Sequence, residues 1–338
     1  MPLNAAFEEA IRITPQGANK YSAHLRPEWC IGTVPHGGYT SAVIYKLALT
    51  HFEHAHPNQY STPASPISIQ LSFLRRTASG PATLEVEDVK LGARTSTIHI
   101  KLLQPSEKHP DKPEIKVAGY ITVSPPDAEV GISVPTGWKA HPAPVPGSLP
   151  NGQIDFAQLG ATGKDGAWVK TEPPYPEFRR AATQLELYGP GKGETQQQRS
   201  GTMAIDQWAR FRPCGDLDGR WTDAAVVYLL DMFPMALDGF DSVSANAVAK
   251  ETGGNAADLK AKFWYPTVTL NIDMKKHLPA GGVEWLYSRI VTKVVRDGRT
   301  DLDVTVLDQD GEVVALGTQV GLVVSASRNL GSRKLQKL

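Results

Sequence analysis

The chain carries the same order of secondary structure twice, and this repeat limits the possible folds more than any other feature. In the first half, a nearly continuous apolar run at residues 38–51 precedes an alternating apolar and polar segment at 67–73. In the second half, an apolar run at 224–237 precedes an alternating segment at 267–274. Both runs are too apolar for surface helices, and alternation with period two is typical of half-buried strands. The sequence therefore predicts two units, each with a buried helix and an antiparallel sheet.

Further β-type segments continue the pattern in both halves. The turn Gly92-Ala93-Arg94-Thr95 is similar to Asp297-Gly298-Arg299-Thr300, which supports a duplication. A long apolar helix wrapped by a curved antiparallel sheet is the hotdog arrangement, so we predict an α+β fold that is a double hotdog. The predicted strands lie at 83–91, 95–103 and 115–123, then at 284–295, 300–307 and 312–324, with weaker upstream candidates at 19–29, 182–188 and 204–212.

Proline marks the boundary between the two repeats. Residues 124–150 and 172–176 are rich in proline, which cannot donate a hydrogen bond to a strand ladder or continue a helix. Such segments indicate an extended connector. We predict an N-terminal repeat at 1–124, a connector at 125–176, a C-terminal repeat at 177–326 and a tail at 327–338.

Charge and cysteine content narrow the class of protein. The 338 residues include 35 Lys and Arg against 35 Asp and Glu, so bulk charge does not favour binding to nucleic acid or to an acidic membrane. The two cysteines, Cys30 and Cys214, form no CxxC pair, which fits a reducing compartment. No signal peptide or apolar span is evident, so we expect a soluble cytoplasmic protein. The final Gln336-Lys337-Leu338 ends like a peroxisomal signal but lacks its small first residue.

Asp231 is the single ionisable residue in the apolar run 224–237. A buried carboxylate must be paired, hydrogen-bonded or protonated, and such a group in a cleft is a candidate general base. Pro234 would kink the predicted helix beside it. An aspartate at the helix rim that reaches water past the kink fits the sequence equally well.

The first apolar run opens with His36, Gly37 and Gly38. Backbone N–H groups at a helix start have no intrahelical acceptor, so they can stabilise a carbonyl oxygen that gains negative charge. A glycine pair used for close packing of the helix is the simpler alternative.

The two halves differ in a complementary way. Tyr45 stands nine residues after His36, near the position that corresponds to the acid, and Thr222 stands nine residues before Asp231, where the glycines would be expected. Each half keeps a feature that the other lacks. We therefore predict one composite site between the halves.

The second half resembles the acyl-CoA thioesterase II family, a group of double-hotdog proteins. The similar features are Asp231 in LLDMFPMAL, Thr269 ten residues before Pro279, the strand EWLYS, and VALGTQVG, which contains Gln319. The resemblance implies that Asp231, Thr269 and Gln319 hold the water that attacks a thioester carbonyl, without a metal or redox cofactor. The His-Gly-Gly opening is similar to that of single-hotdog thioesterases, in which a glycine N–H polarises the carbonyl.

The resemblance implies an acyl-CoA thioesterase-like hydrolase of lipid metabolism that acts on an acyl group carried by CoA or by a carrier protein. Arg75, Arg76, Lys275 and Lys276 are candidate contacts for CoA phosphates, although solvated cations at strand ends are the commoner reason for such pairs. Homo-oligomerisation is compatible with the sequence but not required, because the second repeat supplies the surface that single-hotdog proteins obtain by dimerising.

Two other functions stay open from the sequence. His36 beside Asp231 could form the acid and base of a hotdog dehydratase or hydratase acting on an acyl or polyketide-like intermediate. Alternatively, the protein could bind acyl groups without catalysis, with Asp231 in a structural role. No GxSxG, phosphate-loop or Rossmann glycine motif occurs in a strand-turn-helix context, so serine hydrolases and nucleotide hydrolases lack support.

Three histidines at the end of the first apolar run could in principle bind a metal ion. His51, His54 and His56 follow a predicted helix end, where histidines suit the helix dipole, and no Cys or Asp is near them in sequence. We therefore expect no metal.

Overall fold

The computed structural model describes residues 3–173, 175–191, 204–233 and 263–330. Its α-helices in these ranges are α1 (Ala5–Ala10), α2 (Gly37–Ala55), α3 (Phe156–Thr162), α4 (Asp223–Leu229) and α5 (Ser327–Leu330). Its strands there are β1 (Thr14–Pro15), β2 (Lys20–Leu25), β3 (Cys30–Ile31), β4 (Val34–Pro35), β5 (Ser65–Phe73), β6 (Gly80–Lys90), β7 (Ser96–Pro105), β8 (Pro113–Ser124), β9 (Lys164–Asp165), β10 (Trp168–Thr171), β11 (Leu185–Pro190), β12 (Ala204–Phe211), β13 (Phe263–Trp264), β14 (Thr267–Met274), β15 (Trp285–Val291), β16 (Val295–Arg296), β17 (Arg299–Leu307), β18 (Val313–Leu322) and β19 (Val324–Ser325).

One antiparallel sheet contains most of these strands and has mirrored halves. Its order is β1-β2-β6-β7-β8-β5-β14-β18-β17-β15-β12-β11-β10-β9, with β16 paired to β17. From the middle outward, the first half runs β5-β8-β7-β6-β2 and the second runs β14-β18-β17-β15-β12. Each strand thus has a counterpart at the same distance from the centre, which confirms the predicted duplication and the double hotdog.

The central pair, β5 and β14, joins the two repeats. Ile69 lies opposite Ile272 and Leu71 lies opposite Leu270 in antiparallel register. All four side chains are buried, while the polar residues between them face the other side. The alternation of apolar and polar residues in the sequence therefore predicts the buried face of these two strands correctly.

The two central helices differ in length. Residues 38–45 of α2 are buried at every position, as expected of a helix enclosed by a sheet. In contrast, α4 ends at Leu229, eight residues before the end of the predicted run. Pro234 has no N–H to donate to the Leu230 carbonyl in a continued helix, and that carbonyl instead accepts a hydrogen bond from Gln319 Nε2 at 3.0 Å. The rest of the predicted helix and the kink at Pro234 lie outside the described residues.

The start of α2 packs directly on α4. A Cβ atom on Gly38 would lie 2.5 Å from the backbone carbonyl oxygen of Tyr228 in α4. Only glycine allows this approach without displacing backbone, so close packing is one real function of the glycine pair.

The predicted connector at 125–176 is not extended throughout. It contains α3, and β10 within it pairs with β11 at the outer edge of the second half. Trp168 of β10 is buried in a small aromatic core with Trp208 and Trp285. The predicted domain boundaries themselves stay a prediction. Among the helices of the described ranges, none is long and apolar enough to cross a bilayer.

Candidate active site

Asp231 lies in the turn that follows α4 and is 3% exposed. Its Oδ2 accepts a hydrogen bond from the Gly38 N–H at 2.7 Å, and its Oδ1 accepts one from Thr267 Oγ1 at 3.1 Å. His36 Nε2 lies 3.3 Å from Oδ2. The carboxyl group is therefore buried and partnered, and the interpretation of Asp231 as a rim residue that reaches water is wrong.

These partners come from both repeats. His36 and Gly38 begin α2 in the first repeat, whereas Asp231 and Thr267 belong to the second. Because α2 and α4 touch at the Gly38 position, the helix start of one repeat meets the helix end of the other. The structure thus brings together the groups of the predicted composite arrangement.

Burial shifts both titratable groups of this arrangement toward their neutral forms. Desolvation raises the pKa of Asp231, and the charge of His36 and hydrogen bonds from Gly38, Thr267 and Gln319 oppose that rise. Desolvation also lowers the pKa of His36, against the attraction of Asp231. Both shifts favour a neutral imidazole beside a carboxyl group that takes up a proton more readily than an exposed aspartate does.

The His36 ring lies between Asp231 and Tyr228. It packs edge-on against Tyr228, with ring centroids 5.4 Å apart. While Nε2 faces Asp231, the buried Nδ1 has no hydrogen-bond partner among the described residues. If Nε2 carries the hydrogen and donates it to the carboxylate, Nδ1 keeps a lone pair and can accept a proton.

Thr267, rather than the predicted Thr269, contacts Asp231. The register between β14 and β18 shifts between these two threonines, which leaves Val268 as an extra residue on β14. This bulge turns Thr267 toward the buried face that it would otherwise not share with Leu270. Within the described part of the chain, the Thr269 hydroxyl makes no hydrogen bond to Asp231. The threonine hydroxyl that contacts Asp231 is therefore that of Thr267, and a catalytic role for Thr269 stays a prediction.

Gln319 lies beside Asp231, its role in catalysis stays a prediction, and a second glutamine accompanies it. Gln319 Nε2 donates to the Leu230 carbonyl at 3.0 Å, and Gln207 Nε2 of β12 donates to the Met232 carbonyl at 2.9 Å. Both side chains are buried, and both Oε1 atoms have no hydrogen-bond partner among the described residues. Gln207 is not among the residues predicted from the sequence, although it interrupts a mostly buried strand in the same way as Gln319 does.

The four basic residues predicted to meet CoA phosphates do not form one patch. Arg75 and Arg76 follow β5, and Lys275 and Lys276 follow β14. Since β5 and β14 are antiparallel neighbours, the two pairs lie at opposite ends of the shared ladder. A role in phosphate binding stays a prediction. Each cation has a protein partner: Arg75 contacts Glu114, Arg76 donates to the Asn329 carbonyl, Lys275 contacts Asp273, and Lys276 contacts Asp308 and Glu312.

The histidines at the end of α2 meet a carboxylate that their sequence neighbours do not contain. His51 and His56 both contact Asp88 of β6, at 2.9 and 3.0 Å. An aspartate that is distant in sequence therefore lies beside these histidines in three dimensions, contrary to the expectation from the sequence. His54 is exposed and lies outside this group.

Comparison with known proteins identifies the family. Residues 25–124 match the family of acyl-CoA thioesterase N-terminal domains, and residues 155–323 match the family of acyl-CoA thioesterase C-terminal domains. The chain belongs to this acyl-CoA thioesterase family. It is 32% identical over 351 residues to the thioesterase-like protein TwmA of Talaromyces wortmannii, covering 98% of this chain and 95% of the relative.

Solved structures of other proteins have the same fold as this chain. A hotdog-fold protein from Alicyclobacillus acidocaldarius is 20% identical, with a TM-score of 0.61 over 94% of this chain and 98% of that one. An acyl-CoA thioesterase II from Mycobacterium marinum is 17% identical, with a TM-score of 0.58 over 95% and 99% of the two chains. At this level of identity the likeness concerns the fold alone.

Proposed function

We propose that this acyl-CoA thioesterase family member hydrolyses acyl thioesters and that Asp231 is its central catalytic group. One observation carries the proposal: the Asp231 carboxyl is buried where the two repeats meet and is held by Gly38 of one repeat and Thr267 of the other. A buried acid with a raised pKa, held by hydrogen bonds, is well suited to take a proton from water near neutral pH.

The reaction follows from this acid. Asp231 orients a water molecule and accepts one of its protons as the water oxygen bonds to the thioester carbonyl carbon. The tetrahedral intermediate collapses, the carbon–sulfur bond breaks, and the proton on Asp231 passes to the departing thiolate. The products are a carboxylic acid and a free thiol, and Asp231 returns to its starting state.

Thr267 and Gln319 position the acid and the water in this proposal. Thr267 Oγ1 donates to Asp231 Oδ1 and so fixes the plane of the carboxylate. The buried Gln319 Oε1 has no partner among the described residues, so it can accept a hydrogen from the water. We therefore assign to Thr267 the position that the resemblance gave to Thr269.

Gly37 is the better oxyanion donor of the glycine pair. The Gly38 N–H already donates to Asp231 at 2.7 Å. The Gly37 N–H stands at the first position of α2 and has no acceptor among the described residues, and a Cβ atom on Gly37 would lie 2.6 Å from Asp231 Oδ2. A thioester oxygen placed at this helix start would meet a backbone N–H and the positive end of the helix dipole.

A second function is favoured by the contact between His36 and Asp231. With Nε2–H donated to Asp231, His36 Nδ1 could remove the α-proton of a 3-hydroxyacyl thioester, while protonated Asp231 gives its proton to the leaving hydroxyl. The products are water and a 2,3-unsaturated thioester, and the carbon–sulfur bond stays intact. Retention of the thioester separates this reaction from hydrolysis.

A thiol-release assay tests the proposed hydrolysis. Short, medium, long, aromatic and 3-hydroxy acyl-CoAs are incubated with the wild-type protein, Asp231→Asn and the control Asp218→Asn, an exposed residue in the loop before α4. We expect thiol release by the wild type and the control, and a loss of about 10²- to 10⁴-fold in Asp231→Asn. Loss of water without thiol release, followed by mass spectrometry, would support dehydration. Binding without either reaction would contradict both activities and favour an acyl-binding protein.

A further inference from the structure

We propose that His51, His56 and Asp88 form a binding site for one divalent first-row transition metal ion, with Zn²⁺ as the first candidate. His51 lies in the last turns of α2, His56 follows the helix, and Asp88 lies near the end of β6. The site is separate from the proposed catalytic group. The 19 residues of α2 place its ends roughly 27 Å apart, and Asp231 lies at the other end.

The donor atoms converge on a small volume. His51 Nε2 lies 2.9 Å from Asp88 Oδ1, and His56 Nε2 lies 3.0 Å from Asp88 Oδ2. One ligand atom from each of the three residues lies within 4.8 Å of the others. Because Zn²⁺ binds imidazole nitrogen and carboxylate oxygen at about 2.0–2.2 Å, donors about 3 Å apart have the spacing of neighbouring ligands around one ion.

The hydrogen bonds of Tyr21 give the strongest argument for a cation. The Tyr21 hydroxyl lies 2.9 Å from the Ala18 carbonyl oxygen and 2.8 Å from His51 Nδ1. The carbonyl can only accept, so the arrangement that satisfies all three groups gives the hydroxyl hydrogen to Ala18 and lets Nδ1–H donate to the phenol oxygen. In a neutral imidazole, this leaves the lone pair of Nε2 directed at a carboxylate oxygen of Asp88.

Two lone pairs at 2.9 Å repel each other unless a positive centre lies between them. A proton on Nε2 is one solution, but it would place a positive charge on a side chain that is fully buried. A metal ion removes the repulsion while His51 stays neutral, and neutral imidazole is the form that binds metals. Tyr21 then acts as the outer-shell partner that holds the ring in its metal-binding tautomer.

The remaining ligands provide access. The side chains of His56 and Asp88 are 19% and 25% exposed, so an ion can enter from solvent and keep a water ligand. The register between β6 and β7 shifts between Asp88 and Lys90, a bulge of the kind that redirects a side chain. A bound ion would fasten the C-terminal end of α2 to the sheet, which indicates a structural role.

The test is metal binding by the full-length chain, without an affinity tag and after removal of metals by a chelator. The protein is titrated with Co²⁺, whose visible absorption reports coordination, and then with Zn²⁺ in competition. The variants are Asp88→Asn, His56→Ala and the control His54→Ala, which changes an exposed histidine beside the site. Circular dichroism confirms that each variant is folded.

We expect one Co²⁺ per wild-type chain, displacement by Zn²⁺, and a melting temperature that rises with Zn²⁺ concentration. Asp88→Asn and His56→Ala should weaken binding at least about tenfold, and His54→Ala should leave it unchanged. Because His56 is half-buried and at the helix end, His56→Ala keeps the test valid even if Asp88→Asn does not fold. Absence of 1:1 binding to the wild type, or equal binding by His56→Ala, would overturn the proposal. Thiol release is not a readout, so the result is independent of the proposed hydrolysis.

Discussion

The two central helices occupy equivalent places in the mirrored sheet but have become different in sequence and length. Helix α2 has 19 residues and begins with two glycines, whereas α4 has seven residues and ends just before Asp231. The glycine start of α2 lets the end of α4 approach closely enough for a backbone N–H to reach the carboxyl group. The comparison shows how a duplicated unit can form one site from two halves, neither of which holds all of its groups.

The early end of α4 is part of this difference. Gln319 and Gln207 donate to carbonyl groups that a continued helix would have paired internally. The turn that results directs Asp231 toward α2. In α2, the corresponding region around Tyr45 stays helical, and the Tyr45 side chain is buried.

Among substitutions at the two helices, we expect the largest effect on stability and turnover from Gly38→Ala. The added methyl group would meet the Tyr228 carbonyl oxygen at 2.5 Å and force the two helices apart. We expect a loss of about 1–3 kcal/mol in the free energy of unfolding, together with loss of thiol release. Thermal denaturation and the thiol assay measure the two effects.

Thr222→Ala is the matched control at the start of α4. Thr222 makes no side-chain capping bond, and its buried hydroxyl has no partner among the described residues. This variant should be close to wild type in stability. Equal destabilisation by the two substitutions would contradict the special role of the α2 start.

Thr267→Val should reduce turnover more than Thr269→Val. Thr267 donates to the Asp231 carboxyl, and a hydrogen bond to a charged group contributes about 1.5–3 kcal/mol. The expected loss in kcat/KM is about 10- to 100-fold for Thr267→Val, with a much smaller change for Thr269→Val. The reverse order would restore the assignment that the resemblance implied.

The pH dependence of turnover should report the buried acid. The proposed hydrolysis requires ionised Asp231. Because burial raises the pKa of this carboxyl group, we expect activity to be lost on acidification at a pH above about 4, the usual pKa of aspartate. The same raised pKa means that the ionised carboxylate destabilises the folded protein at neutral pH. Asp231→Asn should therefore lower activity but raise the melting temperature at this pH. A pH profile of kcat/KM with its acid midpoint near 4 would contradict the buried assignment.

We expect the smallest effect on stability from a substitution at the start of α4. An ion pair stabilises this helix start, whereas the start of α2 has two glycines. Asp223 contacts His277 Nδ1 at 2.7 Å, and this hydrogen bond raises the pKa of His277. A raised histidine pKa adds stability that is fully present below the usual value of about 6.5 and is lost as the pH rises through the folded-state pKa. His277→Ala should therefore cost up to about 1 kcal/mol at pH 5.5 and little at pH 9, measured by thermal denaturation. A cost that is independent of pH would assign the effect to packing.

Features that depend on local periodicity could be predicted from the sequence. The buried alternation of Ile69 and Leu71, the enclosed helix α2 and the isolated carboxyl of Asp231 all follow from the spacing of apolar residues. The mirrored strand order then follows from the duplication. Gly38 could be predicted to lie beside Asp231 because the first repeat has the glycine pair but no acid, whereas the second repeat has the acid but no glycine pair.

Features that depend on strand register could not be predicted in this way. The bulge at Val268 directs Thr267, and not Thr269, toward Asp231. The alternation of apolar and polar residues in β14 does not indicate this bulge. Likewise, Asp88 meets His51 only because β6 passes the end of α2, more than thirty residues later in the chain. Both contacts depend on how segments that are distant in sequence pair with each other. A shift of one residue in that pairing would turn each side chain to the opposite face of the sheet.

The most direct test of the composite site is a double-mutant cycle between the repeats. His36→Gln changes the first repeat, Asp231→Asn changes the second, and kcat/KM for thiol release is measured for the wild type, both single variants and the double variant. If the two residues act as one unit, each single variant should be slower than the wild type, and the double variant should be no slower than Asp231→Asn alone. Losses that multiply in the double variant would show that the two groups act independently, and would contradict a single site shared by the two halves.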